Sequence, residues 1–302
     1  MNQVRVRKCF VWIGVAAVGL TAIAARAQEH APLPSGPAPI LVTVRETPKP
    51  GQEFTHAKLE AEIAAALDSA KAKEYYLGMG AISGSEDLMF LSGYASLQEM
   101  ADVHDNDDTI IGDKLDTLEA EHSATLAKTE TSIWRLRPDL SNPQPESLGS
   151  MRFMDVVQIH VKLGHDTEFS DVIRKTGDVW AQTDPNFHYM VYQQIFGNGK
   201  DNSFLILIPV KALSDIDRHQ SLAEQYLKNM GEQVHKHILG IVSSDYDSVQ
   251  SNLYVFTPSM SRLPDSWTQN DMSFWHPEPL TSTPAKKPLT TAPAKASEPS
   301  HQ

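Results

Sequence analysis

The chain has 302 residues, 38 Asp+Glu against 26 Lys+Arg, and one cysteine, Cys9. So acidic a protein is repelled by nucleic acid and by anionic membrane surfaces. A single thiol makes neither an internal disulfide nor a thiolate metal site.

Residues 1–27 read as an export leader. Arg5, Arg7 and Lys8 give a basic start, "FVWIGVAAVGLTAIAA" (10–25) is an apolar run, and "ARA" (25–27) supplies the small residues of a cleavage site. The run is short of the roughly 20 apolar residues of a spanning helix. Cleavage after Ala27 is therefore expected, giving a periplasmic or secreted chain with no membrane partner and no cysteine. Lys+Arg then falls from 26 to 22 against 38 acidic residues, a formal net charge of −16. Residues 28–39 form a Pro-rich linker.

The folded core reads as two units, 40–146 and 147–264. In the first, "ILVTVRE" is a strand, 53–72 a helix, and "EYYLGMGAI" and "LMFLSGY" a hairpin around "SGSED". Helical segments run to about Lys128, and "SIWRLRP" is the closing strand. In the second, "VVQIHVK" alternates as a strand, and "DTEFSDVIRKTGDVW" sets Phe169, Val172, Ile173, Thr176 and Trp180 on one helical face. "FHYMVYQQIF" and "SFLILIPV" flank the turn "GNGKDN"; a helical stretch through "SLAEQYLKNMGEQVHKHIL" and the strand "NLYVFTP" follow. Residues 265–302, rich in Pro, Thr, Ser, Ala and Lys, are expected to form a mostly disordered tail.

The units echo one another. "SIWRLRPDLS" (132–141) matches "NLYVFTPSMS" (252–261) in pattern: Trp134 with Tyr254, Leu136 with Phe256, Pro138 with Pro258, Leu140 with Met260, Ser141 with Ser261. At a shift of 116, 88–100 overlays 204–216; at 115, 41–46 overlays 156–161 and Phe54 overlays Phe169. Three matches in one order indicate an internal duplication, each copy reading β-α-β-β-α-β, the ferredoxin-like pattern. In this order and unit length the core, about 40–264, resembles the dimeric α/β-barrel superfamily. That resemblance implies an α+β fold: tandem ferredoxin-like units whose sheets face each other as a pseudo-dimeric barrel. The superfamily includes small monooxygenases and haem-degrading or haem-binding enzymes, so it leaves haem open as a cofactor. No catalytic motif is present to carry a functional residue across.

Strand alternation selects the site candidates. Val157, Ile159 and Val161 suit a helix-covered face, leaving Gln158 and His160 on the barrel side. The same phasing turns Val42 and Val44 to the helices and Arg45 inward, equivalent to His160 at the shift of 115. His188 and Tyr192 share a face in the next strand, with Tyr76 matched to Tyr192. Arg45, Tyr76, Gln158, His160, His188 and Tyr192 are the expected lining of a pocket for a small apolar or aromatic molecule, with His160 and His188 as candidate acid–base groups or axial ligands.

No metal site is expected. "DVHDNDD" (102–108) lacks the Gly and distant Glu of a calcium loop and reads as an exposed acidic helix start or loop. His235 and His237 stand two apart and diverge on a helix. The best reading is a small-molecule binding barrel. The alternatives are a cofactor-free monooxygenase-like or haem-handling enzyme, and a structural or interaction protein.

Overall fold

The computed structural model describes residues 36–143, 148–197 and 202–276. The leader, the linker as far as residue 35, most of the "GNGKDN" turn and the tail from 277 lie outside the described residues. Among the described residues, no helix is long and apolar enough to cross a membrane.

The first half contains β1 (Ile40–Pro48), α1 (Glu53–Ala70), β2 (Leu77–Ala81), β3 (Leu88–Tyr94), α2 (Leu97–Ile111), α3 (Asp116–Thr125) and β4 (Leu126–Leu136). The second contains β5 (Phe153–Val161), α4 (Asp166–Thr183), β6 (Met190–Gly197), β7 (Ser203–Val210), α5 (Leu213–Ser221), α6 (Ala223–Met230), α7 (Glu232–Asp245) and β8 (Tyr246–Phe256). All eight strands close into one antiparallel barrel in the order β1-β3-β2-β8-β5-β7-β6-β4. Each half thus contributes the same strand order, β4-β1-β3-β2 and β8-β5-β7-β6. The halves are joined by the β2–β8 and β4–β6 ladders. Closure removes the unpaired edges that either sheet would otherwise present.

The ladders correct the expected alignment of the copies. β1 and β5 carry matching register shifts, between Thr47 and Pro48 and between His160 and Val161. Thr47 therefore corresponds to His160, and Arg45 to Gln158, two residues from the match read off composition. Two isolated bridges, Tyr76 with Arg262 and Tyr189 with Asn142, make Tyr189 rather than Tyr192 the counterpart of Tyr76. The strand-end echo is a repeated structure. Both β4 and β8 run into a 3-10 turn, Pro138–Leu140 and Pro258–Met260, which buries Leu140 and Met260. Ser141 Oγ then accepts from Val191 N and donates to Arg137 O; Ser261 Oγ accepts from Gly78 N and donates to Thr257 O. Gly78 has no alternative here, since a Cβ would stand 2.3 Å from Met260 O.

The closed sheet separates three apolar regions. Inside the barrel, Leu41, Met89 and Trp134 from one half meet Met154, Leu205 and Tyr254 from the other. Outside it, α1 to α3 cover the first half's sheet and α4 to α7 the second's. Side chains at opposite parity on every strand feed these outer layers: Val44 and Phe90 in one, Ile159 and Phe204 in the other. Each fully buried side chain of this size contributes roughly 1.5–3 kcal/mol.

The expected disorder over 265–302 does not hold for 265–276. Two short helices, α8 (Asp265–Thr268) and α9 (Met272–Trp275), fold back onto the barrel. Trp275 is buried beside Phe256 and donates its indole N–H to Gly149 O at 2.8 Å. Arg152 pairs with Asp271 and lies 3.8 Å from the centre of the Phe274 ring. Phe274 and Trp275 supply the burial that the average composition of the tail conceals.

Candidate functional site

The expected barrel pocket exists only in part. Arg45 and Gln158, equivalent by register, both line an internal space with Thr43, Trp134 and Gln194, but its volume is about 60 Å³. Arg45 Nε lies 3.1 Å from Asp87 Oδ2, and Tyr254 OH donates to Asp87 Oδ1 at 3.1 Å. Burial raises the Asp87 carboxyl above its ordinary value against the opposing charge of Arg45, and pushes the Tyr254 phenol up to about 12.

The other candidates scatter. Tyr192 is a core residue of the barrel, its hydroxyl donating to Ala38 O at 3.2 Å. His160 is half-buried, with Nδ1 2.7 Å from Ser203 Oγ, and does not line the internal space. His188 is half-buried, two residues before β6 begins. Tyr76 lies on the opposite side of the sheet, edge-on to Phe90 in the first half's outer layer. A haem does not fit the barrel: about 60 Å³ is far below even the roughly 300 Å³ of a small ligand pocket.

A roomier space than the one inside the barrel lies in that outer layer. A cavity of about 160 Å³ opens between the sheet and α1 to α3, walled by Ile63, Leu67, Phe90, Val103 and Ile111. Glu74 lines it too, and Glu74 Oε1 accepts hydrogen bonds from Tyr94 OH at 3.2 Å and Ser92 Oγ at 3.3 Å. Burial, reinforced by the charge of Asp107, raises the Glu74 carboxyl above its ordinary value, while Arg262 and the two hydroxyls oppose the shift. The "DVHDNDD" stretch is neither a loop nor fully exposed. It lies within α2, where Asp107 turns inward to accept from the backbone N–H of Lys73 and Glu74, both at 2.8 Å, while His104 and Asp108 stay at the exposed rim.

Beside this cavity stand four residues that strand-face reasoning missed, two of which, Glu46 and Glu60, line it: Glu46 on β1, His56 and Glu60 on α1, and His122 on α3. All are at most 3% exposed. Their donor atoms lie within 4.8 Å of one another, forming a group of metal-ligating type where no metal was expected. His56 Nε2 and His122 Nε2 each lie 3.3 Å from Glu46 Oε2, and His122 Nε2 also pairs with Glu60 Oε1. The signal was available in the sequence. His56 and Glu60 interrupt the apolar stripe of α1 at the positions that align with Leu59, Ile63 and Leu67. Glu46 continues the helix-facing parity of Val42 and Val44.

Neither a protein-family model nor a curated protein matches the chain in sequence. Among solved structures, the chain is similar to an anthrone oxidase-like protein at 13% identity and TM-score 0.50, over 72% of this chain and 91% of that one. The fold is that of the dimeric α/β barrels. Two further similar chains are a monooxygenase-like protein from Lactobacillus acidophilus NCFM (12% identity, TM-score 0.46, 72% and 94% covered) and a chlorite dismutase from Candidatus Nitrospira defluvii (11%, 0.44, 77% and 95%). In this closed barrel the interior is packed, and a roomier space lies outside it, beneath the helices of the first half.

Proposed function

We propose that this chain, read as two fused ferredoxin-like units and as an exported protein, binds a small, mainly apolar or single-ring aromatic molecule in the outer cavity of its first half. The observation that carries the reading is the contrast in free volume: about 160 Å³ in the outer layer against about 60 Å³ in the barrel. An engineered apolar cavity of about 150 Å³ is enough for benzene, so the outer space suits one ring and excludes a macrocycle. Ile63, Leu67 and Phe90 supply apolar walls, and the Glu74, Tyr94 and Ser92 group supplies a polar end that can orient a hydroxyl or carbonyl.

A second reading, an enzyme acting on that molecule, is favoured by Glu74. A half-buried carboxyl with a raised pKa beside an apolar cavity is suited to proton transfer. Titration of the chain with phenol, catechol and toluene, followed by thermal shift and calorimetry, tests the binding reading. Saturable binding of one molecule per chain is expected in wild type and is lost in Val103→Phe, which fills the cavity. Failure of all three probes, or equal binding by the variant, removes the proposal.

A further inference from the structure

We infer that Glu46, His56, Glu60 and His122 bind one divalent first-row transition-metal ion in the wall of the outer cavity. The inference goes beyond the small-molecule reading and does not depend on the cavity being filled.

The spacing of Glu46, His56 and His122 suits an ion, whereas His122 Nε2 and Glu60 Oε1 stand in direct contact and part to admit it. A tetrahedral centre with bonds of about 2.0–2.1 Å to nitrogen and oxygen separates its ligand atoms by ~3.3 Å. Both histidine Nε2 atoms lie 3.3 Å from Glu46 Oε2. His56 Nε2 makes no hydrogen bond across that distance.

The surrounding hydrogen bonds prepare His56 as a ligand. Thr125 Oγ donates its one proton to His122 O at 2.6 Å, so toward His56 Nδ1, 3.0 Å away, it can only accept. Nδ1 must therefore carry the ring proton, and in the neutral ring the lone pair sits on Nε2, facing Glu46. An outer hydrogen bond that fixes the tautomer in this way is the usual support of a metal-bound imidazole.

The charge of the group is compatible with an ion. Two carboxylates at 1% and 3% exposure are costly to bury without compensating positive charge. One divalent cation neutralises both while leaving the histidines neutral, the form in which imidazole binds metal. Imidazole and carboxylate donors without thiolate suit Zn²⁺, Fe²⁺, Co²⁺ or Mn²⁺. Because Glu46 and Glu60 also line the cavity, an ion held by them borders the space in which a ligand would sit.

The second half shows that the fold does not require this quartet. His56 and Glu60 are the fourth and eighth residues of α1; in α4 those places hold Phe169 and Ile173. Glu46 precedes the β1 register shift as Ile159 precedes that of β5, and His122 stands four residues before β4 as Val242 stands four before β8. Where one copy uses four apolar residues, the other uses two histidines and two glutamates.

The test uses the whole chain, stripped with chelator and titrated with Co²⁺ while visible d–d absorption and thermal stability are followed. Wild type should take up one Co²⁺ per chain, with a raised melting temperature and a spectrum lost on competition by Zn²⁺. Glu60→Gln should weaken binding by at least about 100-fold, since it removes a ligand rather than a supporting group worth roughly 10–100-fold. Where that variant folds poorly, the fourfold exchange Glu46→Ile, His56→Phe, Glu60→Ile, His122→Val, which imports the second half's residues, should fold and bind no Co²⁺. Folded wild type that binds none of Co²⁺, Zn²⁺, Fe²⁺ or Mn²⁺ overturns the inference and leaves a proton-shared network. Unchanged stoichiometry in both variants overturns it equally, by placing the metal elsewhere.

Discussion

The two helix-covered layers have the same backbone plan and opposite chemistry. In the second half Phe169 stacks on Phe204 with ring centres 3.8 Å apart, and Ile159, Val161 and Ile173 complete a dry core. In the first half the matching positions hold Glu46, His56, Glu60 and His122, and beside them the packing leaves a cavity. A fold whose halves repeat one backbone plan thus contains its own control. What both layers share, such as the strand-end turns with Ser141 and Ser261, is what the architecture requires. What only one layer has is where a function is to be sought.

The sharpest way to break this comparison is to move the charge across it. Ile173→Glu places one unpaired carboxylate in the dry layer, and such a buried charge should cost at least about 3–5 kcal/mol, or prevent folding. The fourfold apolar exchange in the first half should leave metal-free stability unchanged or raise it by about 1–4 kcal/mol, because packed apolar residues commonly match or exceed a buried ionic group. Urea denaturation of both variants in chelator measures the two effects. Comparable losses in both would mean that the first layer needs its polar residues to fold.

Much of this architecture was legible before the structure, and the reason lies in its periodicities. Alternation along β1 and β5 put Val44 and Ile159 under the helices and Arg45 and Gln158 inside, as found. The breakers Pro138 and Pro258 marked the same turn twice. What failed was register. Matching strands by composition tolerates a slip of two residues without changing face, so Arg45 was matched to His160 and Phe54 to Phe169. In the structure Phe54 is 83% exposed and Phe169 is fully buried. The slip hid the exchange of His56 for Phe169. The quartet itself was obscured because its members come from a strand and two helices that only the closed layer brings together. The cavity was beyond sequence reach altogether, since it depends on how side chains fill a layer rather than on which side of the sheet they stand.

A subtler variant sharpens the comparison at the supporting hydrogen bond. Thr125 and Asp245 occupy matching places at the ends of α3 and α7, but only Thr125 has a buried imidazole to orient. Thr125→Val keeps the shape and removes the acceptor that fixes the His56 tautomer. Co²⁺ affinity should fall about 10–100-fold with one ion still bound at saturation, whereas Asp245→Asn should leave it unchanged. Equal affinities in wild type and Thr125→Val would show that the tautomer is set by something other than this hydroxyl.

The smallest effect concerns the polar end of the cavity, which has no counterpart in the second layer. Glu74 has a folded-state pKa raised above its ordinary 4.5, chiefly by burial. Between those two values the native state binds more protons than the unfolded chain. The stability contributed by the protonated group is therefore complete below about pH 4.5 and is lost as pH rises through the native pKa. Glu74→Gln retains an acceptor for Tyr94 and Ser92 but cannot ionise, so that part of the pH slope should disappear while stability at pH 4 changes by about 1 kcal/mol or less. Affinity for an apolar probe such as toluene should follow the same course: falling with rising pH in wild type as a carboxylate forms in the cavity, and flat across that range in Glu74→Gln. Calorimetry from pH 4.5 to 8 distinguishes the cases, and a wild-type affinity independent of pH would remove Glu74 from contact with the bound molecule.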